Sequence, residues 1–95
     1  MKYQLVETTK FRRDLKRISK RNIADYRLAS SVLYLLRDKG VSGIPKKMRP
    51  HKLKGNYEGN WECHIKPDLL IIWFQIENPK TIKLIRIGSH SDLFG

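Results

Sequence analysis

The chain has little of what would mark a secreted or membrane protein. Its 95 residues include a single cysteine, Cys63, so no disulfide can form within the chain. The amino-terminal segment has no apolar run like that of a secretory signal. The longest apolar run, residues 69–74, falls far short of the ~20 residues of a membrane-spanning helix. These absences predict a protein of the reducing cytoplasm with no membrane partner.

Acidic residues are also scarce, with nine Asp and Glu against 20 Lys and Arg, for a formal net charge of +11. The cations cluster in residues 10–21, where Asp14 is the one acid, and in residues 39–57, which have none. They are Lys10, Arg12, Arg13, Lys16, Arg17, Lys20 and Arg21, then Lys39, Lys46, Lys47, Arg49, Lys52 and Lys54. This clustering favours a polyanionic partner, nucleic acid first and an acidic protein second, over a merely solvated surface.

The hydrophobic pattern predicts an α+β fold in one domain, residues 1–95. A short strand within residues 2–7 comes first. Two antiparallel helices follow, the first capped by Thr8 or Thr9 and the second ended by Gly40. We expect both helices to pack on one face of a small antiparallel sheet.

The rest of the chain predicts a loop and then strands. Residues 41–60 are rich in Gly and Pro and predict a long basic loop. Residues 61–66, 69–77 and 81–88 predict a three-stranded antiparallel meander, which with the amino-terminal strand makes the sheet. The middle strand is almost wholly apolar and should be buried on both faces. The sheet face away from the helices is then free for function.

Three histidines and two other ionisable residues converge in this scheme. Alternation along the strand at 61–66 places His64 on the face opposite Cys63. Asp68 closes the following hairpin, Arg86 lies on the last strand, and His90 follows it. We expect these four polar residues on one open face, with His51 in the basic loop nearby.

Such a set suits RNA cleavage without a metal. Imidazole, with an ordinary pKa of ~6.5, can both accept and donate a proton near neutral pH. A base can activate a 2′-hydroxyl, an acid can protonate the 5′-oxygen, and a cation can stabilise the phosphorane. No cysteine or histidine spacing indicates a metal site, so we predict no metal and no cofactor. Taken singly, each histidine is more often structural.

Three short motifs then occur together and in order. They are H-x-L-x-G at residues 51–55, H-x-x-P-D at 64–68 and G-[ST]-H-x-x-L-F at 88–94. With the two preceding helices, the whole chain resembles the YafQ branch of the RelE/ParE superfamily of type II toxin–antitoxin toxins. The resemblance implies a RelE-like fold and an endoribonuclease that cleaves mRNA in the ribosomal A site and is neutralised by a cognate antitoxin.

The resemblance also implies roles. His51, His64, Asp68 and His90 match the catalytic set of the family, and Arg86 and Phe94 match residues that contact RNA. We expect His90 as the acid, and His51 or His64 as the base with Asp68 orienting it. The cations expected to bind RNA are Lys46, Lys47, Arg49, Lys52 and Lys54, and those expected to bind the ribosome are Lys10, Arg12, Arg13, Lys16, Arg17, Lys20 and Arg21. Leu69 replaces an aromatic of some relatives.

The resemblance leaves alternatives open. The superfamily includes ParE-like toxins that act on DNA gyrase, although three histidines are not needed to poison a protein. A non-catalytic basic nucleic-acid-binding module and an inactive toxin that only titrates its antitoxin are the others. The partners implied are the cognate antitoxin, the ribosome with its mRNA, and operator DNA only through the antitoxin complex.

Overall fold

The computed structural model describes residues 2–95, so Met1 of the predicted domain lies outside it. Eight helices and strands follow one another along the chain, with short 3₁₀ turns at Gly40–Gly43, Lys46–Met48 and Gly55–Tyr57. They are β1 (Gln4–Glu7), α1 (Thr9–Arg21), α2 (Ile23–Lys39), β2 (His51–Lys52), β3 (Trp61–Lys66), β4 (Leu69–Glu77), β5 (Lys80–Gly88) and α3 (His90–Phe94). The predicted α+β class is confirmed. Within residues 2–95, no helix combines the length and apolar character needed to cross a membrane.

The sheet has five strands in the order β1-β5-β4-β3-β2. The predicted meander is confirmed as β3, β4 and β5, which pair antiparallel. The prediction was wrong on two points. β1 runs parallel to β5, so the sheet is mixed. The basic loop also contributes β2, a two-residue strand that pairs with β3 and is too short for a periodic signal.

Local hydrogen bonds set the ends of the two long helices. The Thr8 side chain caps α1 by accepting from the Phe11 N–H. Asn22, the one residue between α1 and α2, caps α2 by accepting from the Asp25 N–H. α2 is ended by its C-cap residue Gly40, whose φ of 63° and close approach to the Tyr3 ring exclude a side chain. The predicted capping by Thr8 and ending at Gly40 are therefore confirmed.

The hydrophobic core lies between the helices and one face of the sheet. Its largest fully buried side chains include Phe11, Leu36, Trp73 and Ile82. A smaller cluster of Leu70, Ile72 and Leu93 lies on the opposite face, where α3 and the basic loop cover one end of β4. This cover stops short of Phe74 and Ile76, which are exposed, so the prediction of a strand buried on both faces holds only for its first half.

A β-bulge in β5 decides where Arg86 lies. Ile72 pairs with Arg86, whereas the next residue, Trp73, pairs with Leu84, which leaves Ile85 as the extra residue. Strict alternation from Leu84 would have put Arg86 on the face covered by the helices. The bulge instead places it beside Ile72 on the open face.

Candidate active site

The pairing of β2 with β3 brings two histidines to one carboxylate. His51 lies opposite Glu62 in the register, and His64 is two residues further along the same face of β3. His51 Nε2 is 3.2 Å from Glu62 Oε1, and His64 Nε2 is 4.0 Å from the same oxygen. The two imidazole rings are stacked, with centroids 6.4 Å apart. His64 therefore lies on the strand face opposite Cys63 as predicted, and His51 of the basic loop lies beside it.

Glu62 is the functional candidate that sequence reasoning missed. It is 5% exposed, although the two histidines beside it are open to solvent. Its Oε2 is buried and has no hydrogen-bond partner within residues 2–95. The sequence signal was its place on the same strand face as His64, but its meaning depended on β2, which the sequence did not reveal. A buried carboxylate with spare acceptor capacity is therefore held between two imidazoles.

The backbone before β2 fixes the ring of His51. Arg49 adopts a left-handed conformation with φ of 55°, and its carbonyl oxygen lies 2.8 Å from His51 Nδ1. One ring nitrogen therefore faces a carbonyl and the other faces the Glu62 carboxylate, and both of these groups only accept. These two contacts together fix the orientation of the His51 ring.

Asp68 holds a different group from the one predicted. Its Oδ1 accepts a hydrogen bond from the backbone N–H of His90 at 2.9 Å. We expected Asp68 to orient the ring of His51 or His64, but the carboxylate next to those rings is Glu62. The reason is the register, because pairing of Leu70 with Gly88 brings the β3–β4 turn to the start of α3. Asp68 thus positions His90 through its backbone.

His90 and Phe94 lie on the short helix α3 and contact each other. Their ring centroids are 5.0 Å apart, and the edge of Tyr57 meets Phe94 at 5.8 Å. α3 begins with a capping box between Ser89 and Asp92, which fixes the first turn. His90 and Phe94 are exposed, so this aromatic cluster presents an imidazole and a ring face to solvent. Tyr57 was not predicted as part of it.

The guanidinium of Arg86 is hydrogen-bonded to Asp14 of α1. Its Nε donates to Asp14 Oδ2 at 2.7 Å and its Nη2 donates to Oδ1 at 3.1 Å. The N–H of Ile87 also donates to Oδ2, at 3.1 Å. Hydrogen bonding to Asp14 raises the pKa of Arg86 above its ordinary value, so the guanidinium stays charged. The predicted phosphate-binding cation is thereby fixed at the edge of the open face.

The predicted basic surfaces are exposed as expected. The solvent-exposed cations of the loop are Lys46, Lys47, Arg49, Lys52 and Lys54, and those of α1 are Lys10, Arg12, Arg13, Lys16, Arg17, Lys20 and Arg21. Lys52 lies in β2 next to His51, with its ammonium 5.6 Å from the centre of the Trp61 ring. The loop cations therefore border the histidines, whereas the α1 cations lie on a helix that packs against β5.

Cys63 takes no part in this surface. It is fully buried in the main core, on the face opposite His64, as predicted. Burial raises the pKa of its thiol to about 12, so it stays protonated and is a poor nucleophile or ligand. Within residues 2–95, no three His, Cys, Asp or Glu side chains are grouped to hold a metal ion.

Comparisons with known proteins identify a matching family and a curated relative. The family described as "Bacterial toxin of type II toxin-antitoxin system, YafQ" matches residues 3–95. The curated mRNA interferase toxin YafQ of Escherichia coli strain K12 is 31% identical over 52 residues, so the match spans about half of each protein, 55% of this chain and 54% of that one.

Two solved structures are similar over nearly the whole chain. The matched chain in the crystal structure of the E. coli DinJ-YafQ complex has 25% sequence identity to this chain and a TM-score of 0.85. The match covers 98% of this chain and 99% of that one. A metal-bound toxin from Helicobacter pylori is 34% identical with a TM-score of 0.80, covering 97% and 99%.

Proposed function

Because this chain belongs to the YafQ family of bacterial type II toxin–antitoxin toxins, we propose that it is an endoribonuclease that cleaves mRNA in the ribosomal A site. The observation that carries the proposal is the pair of solvent-accessible imidazoles, His51 and His64, beside the buried carboxylate of Glu62. The name of the E. coli relative, an mRNA interferase toxin, supports the same activity. No cofactor enters the proposed reaction.

The chemistry is acid–base catalysis. His64 is the proposed base, because its Nε2 lies 4.0 Å from Glu62, beyond hydrogen-bond distance, and is free to accept the 2′-hydroxyl proton. The 2′-oxygen forms a bond to the adjacent phosphorus while the bond to the 5′-oxygen breaks. His90 donates the proton to that leaving oxygen. The products are a 2′,3′-cyclic phosphate and a 5′-hydroxyl end.

Cations stabilise the charge that develops on the phosphorane. His51 is the nearest candidate, since both of its ring nitrogens face hydrogen-bond acceptors that hold the ring in place. Arg86 is the second, because Asp14 keeps it charged and oriented. Phe94 offers a ring on which a base can stack. The loop cations that would bind the RNA backbone are Lys46, Lys47, Arg49, Lys52 and Lys54.

The remaining partners follow from charge. We assign ribosomal RNA to the exposed cations of α1, which are Lys10, Arg12, Arg13, Lys16, Arg17, Lys20 and Arg21. Binding should weaken with salt by about one power of concentration per phosphate contact, and an affinity that stays flat would contradict this docking. A cognate antitoxin, acidic at least locally, neutralises the toxin in the cytoplasm, as the DinJ-YafQ complex supports. Operator DNA is bound only through that antitoxin complex.

Primer extension on a defined mRNA in a translating extract tests the proposal. We expect the wild-type protein to create new 5′ ends within the reading frame that require active ribosomes. His90→Ala should remove them, whereas Ser91→Ala, an exposed neighbour on the same helix, should not. Cleavage unchanged by His90→Ala would keep the enzyme and reject the assigned acid.

Absence of cleavage by the wild-type protein would reject the endoribonuclease. If translation were undisturbed as well, the alternatives from the sequence would follow. Inhibition of DNA gyrase by the purified protein would identify a ParE-like toxin. Salt-sensitive binding to nucleic acid without any inhibition would identify a non-catalytic binding module.

A further inference from the structure

An open groove lies at the edge of β3 beside the histidine cluster, which consists of the stacked rings of His51 and His64. It lies between α2, the 3₁₀ turn Lys46–Met48 and the β3–β4 hairpin, and its volume is about 570 Å³. The apolar side chains of Leu28, Met48 and Pro67 line it, and His64 stands at its end nearest the cluster. This is the size range of ligand sites in proteins, although the groove is open on one side.

The groove exists because β2 covers only the beginning of the β3 edge. β2 pairs with β3 only at Trp61 and Glu62, so β2 does not cover the edge of β3 from His64 onward. Leu28 of α2 faces this gap and is 42% exposed, although the next turns of the helix bury Val32 and Leu36 in the core. An apolar surface left open next to reactive side chains indicates a binding site.

Two exposed cations mark the kind of ligand. Lys47 and Arg49 line the groove, and of the described residues that line it none is acidic. Lys66 also lines it, but its ammonium is 2.7 Å from Asp25 and is therefore already paired. Apolar walls with two free-standing cations at the rim suit a group that has both an apolar face and a negative charge. A nucleotide combines a base with a phosphate in this way.

Arg49 connects the groove to the histidines. Its side chain lines the groove, while its carbonyl oxygen lies 2.8 Å from His51 Nδ1. A strand of RNA whose scissile phosphate lies at His51 and His64 must continue on both sides of that phosphate. On the side of His64 the continuation meets this groove.

We propose that the groove binds the base of the unpaired mRNA nucleotide next to the scissile phosphate, with Lys47 and Arg49 on its backbone phosphate. The inference rests on the proposed endoribonuclease function and adds to it a subsite for one neighbouring nucleotide. Leu28, Met48 and Pro67 supply the apolar contacts to the base. The open edge of β3 supplies backbone groups that can hydrogen-bond to it.

A cycle that combines a protein change with a substrate change tests this subsite. Ribosomes are programmed with an mRNA containing the cleaved codon, or with the same mRNA carrying an abasic nucleotide directly 5′ or directly 3′ of the scissile bond. The proteins are the wild type, Leu28→Ser, and the control Ile23→Ser. Ile23 is 54% exposed on the same helix and does not line the groove. Thermal melting checks that each variant remains folded.

We expect Leu28→Ser to lower kcat/KM on the normal mRNA about 10-fold, as the loss of an apolar contact in a binding pocket does. Ile23→Ser should leave it unchanged. At one of the two abasic positions, wild type and Leu28→Ser should then cleave at the same rate, because the base that Leu28 contacts is gone. Lys47→Gln should lower kcat/KM on every mRNA, whether abasic or not.

The failures are distinguishable. One outcome is that the wild type cleaves while Leu28→Ser lowers kcat/KM by the same factor on normal mRNA and on both abasic mRNAs. That result would overturn the subsite and leave the endoribonuclease intact. Leu28→Ser that weakens antitoxin binding without any coupling to a base would also overturn it, and would assign the groove to a protein partner. No cleavage by the wild type would overturn the proposed function and the subsite with it.

Discussion

Two buried carboxylates, Asp14 and Glu62, have opposite surroundings. Asp14 is 2% exposed, and its two oxygens accept three hydrogen bonds from Arg86 and from the Ile87 backbone. Glu62 is 5% exposed, but its Oε1 lies near two solvent-accessible imidazoles and its Oε2 has no partner among the described residues. One carboxylate is saturated by the protein and the other is not.

The different surroundings of Asp14 and Glu62 indicate different roles. Asp14 accepts a hydrogen bond from the Ile87 N–H beyond Leu84, where the pairing of β5 with β1 ends, so it satisfies a backbone donor that has no strand partner there. Glu62 occupies a site in which burial without full hydrogen bonding costs free energy. Unsatisfied buried polar groups in folded proteins mark strained sites, catalytic sites, or sites that take up water or an ion. We therefore expect Asp14 to act on stability and Glu62 on reaction rate.

We expect the strongest loss of activity at His64, whose ring lies near the incompletely hydrogen-bonded carboxylate of Glu62. We expect His64→Ala to lower kcat for mRNA cleavage about 10²- to 10⁴-fold, because a positioned base is lost. Its melting temperature should stay close to that of the wild type, since the ring is partly exposed. Single-turnover cleavage on programmed ribosomes measures the rate, with the exposed Lys83→Ala as a control. Loss of the folded state in His64→Ala would contradict a purely chemical role.

The next prediction concerns stability and the fully hydrogen-bonded carboxylate, Asp14. We expect Asp14→Asn to lower the free energy of unfolding by about 3 kcal/mol, because a buried charged pair is broken and the Arg86 charge is left without its partner. Urea denaturation measures the change. Glu7→Gln, which breaks the exposed Arg12–Glu7 pair, is the matched control and should cost less than about 1 kcal/mol. Equal stabilities of the two variants would contradict the structural role assigned to Asp14.

A smaller effect on rate is expected at Glu62 itself. Glu62→Gln keeps the shape of the side chain but removes the carboxylate that contacts His51. We expect the loss of this contact to lower the cleavage rate roughly 10- to 100-fold. The free energy of unfolding should not fall as it does for Asp14→Asn. Comparing both variants in the same cleavage and urea assays makes the test. A Glu62→Gln protein that cleaves at the wild-type rate would show that this carboxylate is not part of the chemistry.

The smallest effect concerns a third carboxylate, the exposed Glu77. Hydrogen bonds from Gln75, Tyr3 and Lys80 lower its pKa from 4.5 to about 2. A lowered pKa in the folded state adds stability above pH about 4.5, and this contribution is lost as the pH falls toward 2. Wild type should therefore melt slightly above Glu77→Gln at pH 6, and the gap should close between pH 4.5 and 2. A gap that stays constant with pH would contradict this linkage.

The sequence predicted the bounds of the meander strands β3 and β4 but neither the bulge in β5 nor the short strand β2. The bounds of β3 and β4 were predicted correctly, because alternation in β3, the apolar run of β4 and the turn at Pro67 and Asp68 are local signals. The bulge in β5 was not predicted, since it depends on how the strand pairs with β4. The same limit hid β2, whose two residues carry no period of their own.

The candidate site was predicted in its residue types and only partly in its contacts. The histidines were identified from the chemistry of imidazole and from the motifs that carry the resemblance. The partners of His51 and Arg86 are residues distant in sequence, Glu62 and Asp14, and these pairings exist only once β2 and α1 pack against the sheet. Asp68 was assigned to the wrong part of the site for the same reason, because its contact with His90 spans 22 residues.

In the proposed reaction, the surface that carries His51, His64 and His90 cleaves RNA through the 2′-hydroxyl next to the scissile phosphate. The most direct test is single-turnover cleavage on ribosomes programmed with an mRNA that carries one 2′-deoxy nucleotide. We predict that a deoxy nucleotide directly 5′ of the scissile bond abolishes cleavage. The same change in the next nucleotide, directly 3′ of the bond, should have little effect. Cleavage of both mRNAs at the same rate would contradict the claim.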